Sequence, residues 1–107
     1  MTVELRLLGS VQARVDGHSI ALGARKQRLV LAILALEAGH QVPMERLVDL
    51  IWPDGPTATA THAVRVCVSG LRAAFAGEVD IPAQGTGYLL TIEPTCVDAH
   101  RFRALLA

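Results

Sequence analysis

The stretch TATATHAVRVCVSGLRAAFA, Thr57 to Ala76, decides the fold, and GTGYLL, Gly85 to Leu90, follows it after a short strand signal. Val64, Val68, Leu71 and Phe75 recur at helical intervals, which lines one side of a helix and turns that side to a core. Thr61, His62, Arg65, Ser69 and Arg72 fall on another side. No carboxylate lies between Thr57 and Ala76 to repel a phosphate. Such a helix suits the DNA major groove, where arginine forks onto guanine or a phosphate and serine or threonine donates to phosphate oxygens. An ordinary solvated helix face has the same composition, so the flanking elements decide between the two. Helix, loop, helix, hairpin is the order of a winged helix-turn-helix, and it favours DNA.

Upstream, Met44 to Trp52 predicts a helix of about two turns, with Leu47, Leu50 and Ile51 facing inward and Pro43 in a first-turn position. Pro53-Asp54-Gly55-Pro56 is too rich in breakers to be helical, and Thr57 or Thr59 is placed to cap the next helix. Before this pair, Leu29, Val30, Ile33, Leu34 and Leu36 make a helix so apolar that it must be central, ended by Gly39. The opening reads as antiparallel strands over Val3–Leu8, Val11–Val15 and Ser19–Leu22, joined by Gly-Ser and Asp-Gly turns. Downstream, Glu78–Ile81 and Gly87–Ile92 predict the strands of a hairpin wing with Pro82–Gly87 as its tip. The expected class is therefore α+β: an N-terminal antiparallel sheet, three helices and a C-terminal β-hairpin wing. The winged helix is expected to occupy residues 1–95. Residues 96–107 then begin a further helix whose Phe102, Leu105 and Leu106 form an apolar edge.

The sequence has 107 residues, enough for a single hydrophobic core. Ten Lys and Arg balance ten Asp and Glu. This counts against a protein that coats nucleic acid without specificity, because that affinity comes from neutralised phosphates. Binding must use localised charge. Cys67 and Cys96 form no disulfide framework, no signal peptide opens the chain, and the apolar run Leu29–Leu36 is far shorter than the roughly 20 residues that cross a bilayer. A cytoplasmic protein with free thiols and no membrane association is expected, with Cys67 packing like a small apolar residue beside the apolar stripe of the reading helix.

Arg25, Lys26 and Arg28 open the central helix, where the macrodipole prefers anions. A phosphate contact explains the placement, and so does a solvated basic turn. Trp52 reads as a packed anchor before an exposed loop. An enzyme reading finds little: Gly85-Thr86-Gly87 lacks the Lys-Ser/Thr ending of a phosphate loop, and the histidines have no ligand at metal-binding spacing. No cofactor and no metal are expected.

Five segments in order, Val3–Gly9 (VELRLLG), Leu22–Arg28 (LGARKQR), Glu45–Trp52 (ERLVDLIW), Val66–Arg72 (VCVSGLR) and Gly87–Leu90 (GYLL), resemble the N-terminal OmpR-type winged-helix domain of the Streptomyces antibiotic regulatory protein family. Val97-Asp-Ala-His-Arg-Phe102 is similar to the start of the helical bacterial transcriptional activation domain that follows in that family. The resemblance implies a sequence-specific transcription activator that binds direct repeats in double-stranded DNA, self-associates there, and recruits RNA polymerase through the loop after Trp52. Carried over by position, it implies DNA contacts at Thr61, His62, Arg65, Ser69 and Arg72 on the helix and Thr86 on the wing. Family members often carry arginine where this chain has Thr61, Gly70 and Ala73, so weaker phosphate attraction is expected, offset by cooperation on tandem sites. The rival class is a winged helix that docks a protein partner through Trp52, its loop or the terminal apolar edge.

Overall fold

A computed structural model describes residues 2–106. Three short strands, β1 (Val3–Arg6), β2 (Gln12–Val15) and β3 (His18–Ser19), form an antiparallel sheet in that order. Helices α1 (Arg25–Leu36), α2 (Met44–Ile51) and α3 (Ala60–Phe75) follow, then a hairpin of β4 (Ala83–Gln84) and β5 (Gly87–Tyr88). A 3-10 turn at Pro94–Cys96 leads into α4 (Asp98–Leu106). The α+β winged-helix architecture is as the sequence implies, with α4 as a fourth helix beyond the three of the winged unit.

The core is aliphatic. Val30, Leu31 and Leu34 of α1, Leu47 of α2, and Val64, Val68 and Leu71 of α3 are all completely buried, with Phe75 closing the end of the stripe. No charged or polar residue is buried among the described residues. On α2 the inward side is Met44, Leu47, Val48 and Ile51, whereas Leu50, expected inward, is half exposed. At about 100° per residue, Leu50 lies well away from the side that those four share.

A crossing of α1 over α3 sets the centre of the domain. Gly70 lies at this crossing: a methyl group there would meet the side-chain amide of Gln27, which donates to the Leu22 carbonyl at 2.9 Å and would have to swing aside. The glycine that weakens α3 as a helix therefore leaves room for that bonded amide.

Strand β1 stops at Arg6 and not at Leu8, because the next two N–H groups turn to another partner. Asp98 accepts from the backbone of Leu7 at 2.7 Å and of Leu8 at 3.1 Å. Val97 bridges Leu5 in parallel and is completely buried, while His100 Nε2 lies 2.9 Å from the Ala35 carbonyl at the end of α1. The segment placed beyond the boundary at residue 95 thus lends Val97 to the winged-helix core, and its apolar edge, Phe102, Leu105 and Leu106, is exposed.

The wing is one hairpin in one register, shorter as strand than the sequence suggests. Asp80 pairs with Thr91, then Ala83 with Tyr88 and Gln84 with Gly87. Pro82 has no N–H to give the ladder and interrupts it, although its carbonyl still accepts from Leu89 at 3.1 Å. The tip is two residues, Gly85-Thr86, with Gly85 at φ +59° in the first central position, where glycine is favoured. Val42 adds a third chain beside β5: its N–H reaches the Tyr88 carbonyl at 2.8 Å and its carbonyl accepts from Tyr88 at 3.1 Å. Gly87 must be glycine here, since a Cβ would strike the Val42 carbonyl oxygen. Gly39, three residues past α1, donates to Leu90 at 3.0 Å and ties the end of that helix to the wing.

The crossing makes a specific prediction for urea unfolding. Gly70→Ala should yield none of the roughly 1 kcal/mol that alanine gains over glycine in a helix, because the methyl displaces a bonded amide. In a Gln27→Ala background the same substitution should stabilise by about that amount. Equal effects of Gly70→Ala in both backgrounds would show that Gln27 does not limit the approach.

Candidate nucleic-acid interface

With its apolar stripe fixed inward, α3 has one outward side. Thr61, His62, Arg65, Val66, Ser69, Arg72 and Ala73 are exposed on it. Thr61, Arg65, Ser69 and Arg72 follow one another at the turn spacing of a helix, so their side chains rise from a single ridge. No acidic residue sits anywhere in α3. Arg65 has no hydrogen-bond or ion-pair partner among the described residues, where the one salt bridge is Arg46 to Glu37 at 3.0 Å. Sequence reasoning missed Val66, which is half exposed beside Arg65. Its signal was present: Val66 is the valine of α3 that does not fit the inward spacing of Val64 and Val68. An exposed methyl pair on such a ridge suits apolar contact with a thymine methyl.

Arg72 differs from Arg65. Its Nε and Nη2 both donate to the Ile81 carbonyl, at 3.1 and 2.6 Å, and the guanidinium lies 5.6 Å from the centre of the Tyr88 ring. The arginine at the far end of the ridge is thus engaged with the stem of the wing. Thr86 sits at the exposed tip of that wing, and Gln41 donates to the Gln84 carbonyl beside it.

The cations at the start of α1 divide as well. Arg25 is exposed in the first turn, which contains no acidic residue and no side-chain cap. Lys26 places its ammonium 5.0 Å over the Trp52 ring, bracing the point where α2 ends. Trp52 is half-buried, as a packed anchor should be, and Pro53 to Thr59 after it are all exposed. Thr59 holds the N-cap position of α3 by its backbone, without a side-chain cap. Cys67, half-buried on the flank of α3, has its thiol pushed up by burial, with Lys26 pulling in the opposite direction. No group of three or more His, Cys, Asp or Glu among the described residues is placed to hold a metal ion, and no helix there is long and apolar enough to cross a membrane.

Residues 17–90 match the family described as "Transcriptional regulatory protein, C terminal". The chain belongs to this family. It is 32% identical over 113 residues to the regulatory protein DnrI of Streptomyces peucetius, covering 96% of this chain and 42% of DnrI. It is 34% identical over 112 residues to the transcriptional regulatory protein EmbR of Mycobacterium tuberculosis, covering 96% of this chain and 29% of EmbR. The solved structure of EmbR in complex with a low-affinity phosphopeptide superposes with a TM-score of 0.85 at 31% identity, over 95% of this chain and 28% of that one. The chain therefore spans less than half the length of these relatives. Within that span, the family's winged-helix domain of transcription regulators is the domain the sequence resembles.

The opposed effects on Cys67 can be read chemically, because only the thiolate alkylates. In a Cys96→Ser background, Lys26→Gln removes the influence that lowers the thiol pKa, so iodoacetamide should modify Cys67 more slowly at pH 8 to 9. An unchanged or faster rate would mean that the ammonium does not act on this thiol.

Proposed function

We propose that this chain is the sequence-specific DNA-binding domain of a transcription activator, reading duplex DNA with α3 in the major groove and the wing in the minor groove. The observation that carries the proposal is the ridge of α3: polar, free of carboxylates, and holding in Arg65 a cation with no partner among the described residues. Arg65 is the principal contact, forking onto a guanine or a phosphate. Thr61, His62 and Ser69 flank it, Val66 meets a thymine methyl, and Arg72 closes the ridge. Thr86 enters the minor groove from the wing tip, and Arg25 with Lys26 approaches a neighbouring phosphate from the start of α1.

The sites are direct repeats occupied by copies that associate on the DNA, in the cytoplasm of the cell. Tandem occupancy raises the affinity of a domain whose net charge is zero. Pro53 to Thr59 stand exposed between α2 and α3, and there they meet RNA polymerase. Helix α4, with its uncovered Phe102, Leu105 and Leu106, leads into a helical activation domain. A second reading, a winged helix that docks a protein, is favoured by the same exposed loop and by the neutral charge.

Anisotropy titration of a duplex selected from a random pool separates the two. DNA binding driven by the ridge should weaken steeply with salt. Arg65→Ala should reduce the salt slope by about 0.9 if the contact is a phosphate, or relax preference at one base pair by roughly 1 to 3 kcal/mol if it is a base. A shallow salt dependence and an Arg65→Ala variant that binds as wild type would favour the protein-docking reading.

A further inference from the structure

We infer that Arg72 is a positioning residue that pins the wing to the end of α3 and so sets the distance between the reading ridge and the wing tip. The inference rests on the DNA-binding reading for its consequence, although the pin itself is a property of the free protein. Between α3 and the wing the chain turns through Ala76 and Gly77, two consecutive residues in the left-handed region at φ +49° and +83°. This turn is the pivot between helix and wing, and it is itself closed by Ala76 donating to the Ala73 carbonyl at 3.1 Å and Glu78 to the Phe75 carbonyl at 2.9 Å. Arg72 stands one helical turn before the pivot and bonds Ile81 after it, so it spans the joint.

The partner is well chosen. Asp80 and Pro82 both accept hydrogen bonds from the opposite side of the hairpin, from Thr91 and Leu89. In an antiparallel ladder, alternate residues point their backbone groups inward and outward, so Ile81 between them turns its carbonyl away from the hairpin. Ile81 is 2% exposed, and a carbonyl in that position needs a donor that water cannot readily supply. Two N–H groups of Arg72 converge on it, and the Tyr88 ring covers the guanidinium. On the other side of the hairpin, β5 is held by Val42. The wing is thus held by Val42 along β5 and, on the other strand, by Arg72 at Ile81 and by Gln41 at Gln84 near the tip. Loss of Arg72 removes the fastening at the stem and lets it shift about Ala76–Gly77 within the hold of Gln41 and of the buried Val79 and Ile81 side chains, which moves Thr86 relative to Arg65 and Ser69.

The test begins without DNA. Spin labels at Thr61→Cys and Thr86→Cys, in a Cys67→Ala and Cys96→Ser background, report the distance from ridge to wing tip by pulsed electron resonance. The wild-type Arg72 should give a narrow distribution, Arg72→Ala a broad or displaced one, and Arg72→Lys a largely restored one, because lysine can still donate to the Ile81 carbonyl over the Tyr88 ring. Arg72→Met retains side-chain length and replaces the alanine variant if that variant does not fold. An unchanged distribution in Arg72→Ala or Arg72→Met overturns the pin whatever the DNA result.

The second arm is a double-mutant cycle with duplex DNA. Arg72→Ala should weaken binding about tenfold, the scale of a lost charge-assisted hydrogen bond, when Thr86 is present, and far less when Thr86→Ala has already removed the tip contact. An equal loss in both backgrounds would assign Arg72 directly to DNA and overturn its action through the wing.

Discussion

Burial of Val64, Val68, Leu71 and Phe75 against α1 fixes everything that the outward side of α3 can do. The four lie on one stripe and none is more than 1% exposed, so α3 has a single rotational setting. Turning it by one residue, about 100°, would carry arginine toward an aliphatic core, where an unpaired charge is strongly disfavoured. Where α1 crosses α3, Gly70 leaves room for the Gln27 amide. Packing thus determines which residues form the ridge, and the ridge determines what the domain can bind.

Charge is then allotted rather than accumulated. The chain is neutral overall, yet its cations have different employments. Arg46 pairs with Glu37, Lys26 lies over Trp52, and Arg72 bonds the wing, whereas Arg65 is left unpaired on the ridge. A neutral protein attracts DNA weakly at long range. A free guanidinium flanked by hydroxyls, on a helix without carboxylates, is suited to act at short range instead.

Much of the fold was legible in the sequence because periodicity and packing agreed. The inward stripe of α3, the apolar centre of α1 and the order of strands and helices follow from spacing alone. The misjudged features are those decided by contacts distant in sequence. Leu50 looked like core because it is apolar, but the partners of α2 choose the side that holds Met44 and Val48. Strand β1 ends early because Asp98, some ninety residues away, takes its last N–H groups. The same holds for the ridge: Thr61, His62, Arg65 and Ser69 could be placed by counting, whereas the engagement of Arg72 with Ile81 could not, because a carbonyl leaves no signature in the sequence. Nor does spacing reveal that Val97 belongs to the core.

Amide chemical-shift mapping during titration with a duplex selected from a random pool tests the central claim most directly, since it reports every residue at once. The largest perturbations should fall along Thr61 to Arg72 and at Thr86, with α4 and the solvent side of α2 unchanged. Perturbations confined to Pro53–Thr59 or to α4, with Arg65 and Ser69 unmoved at saturation, would contradict it.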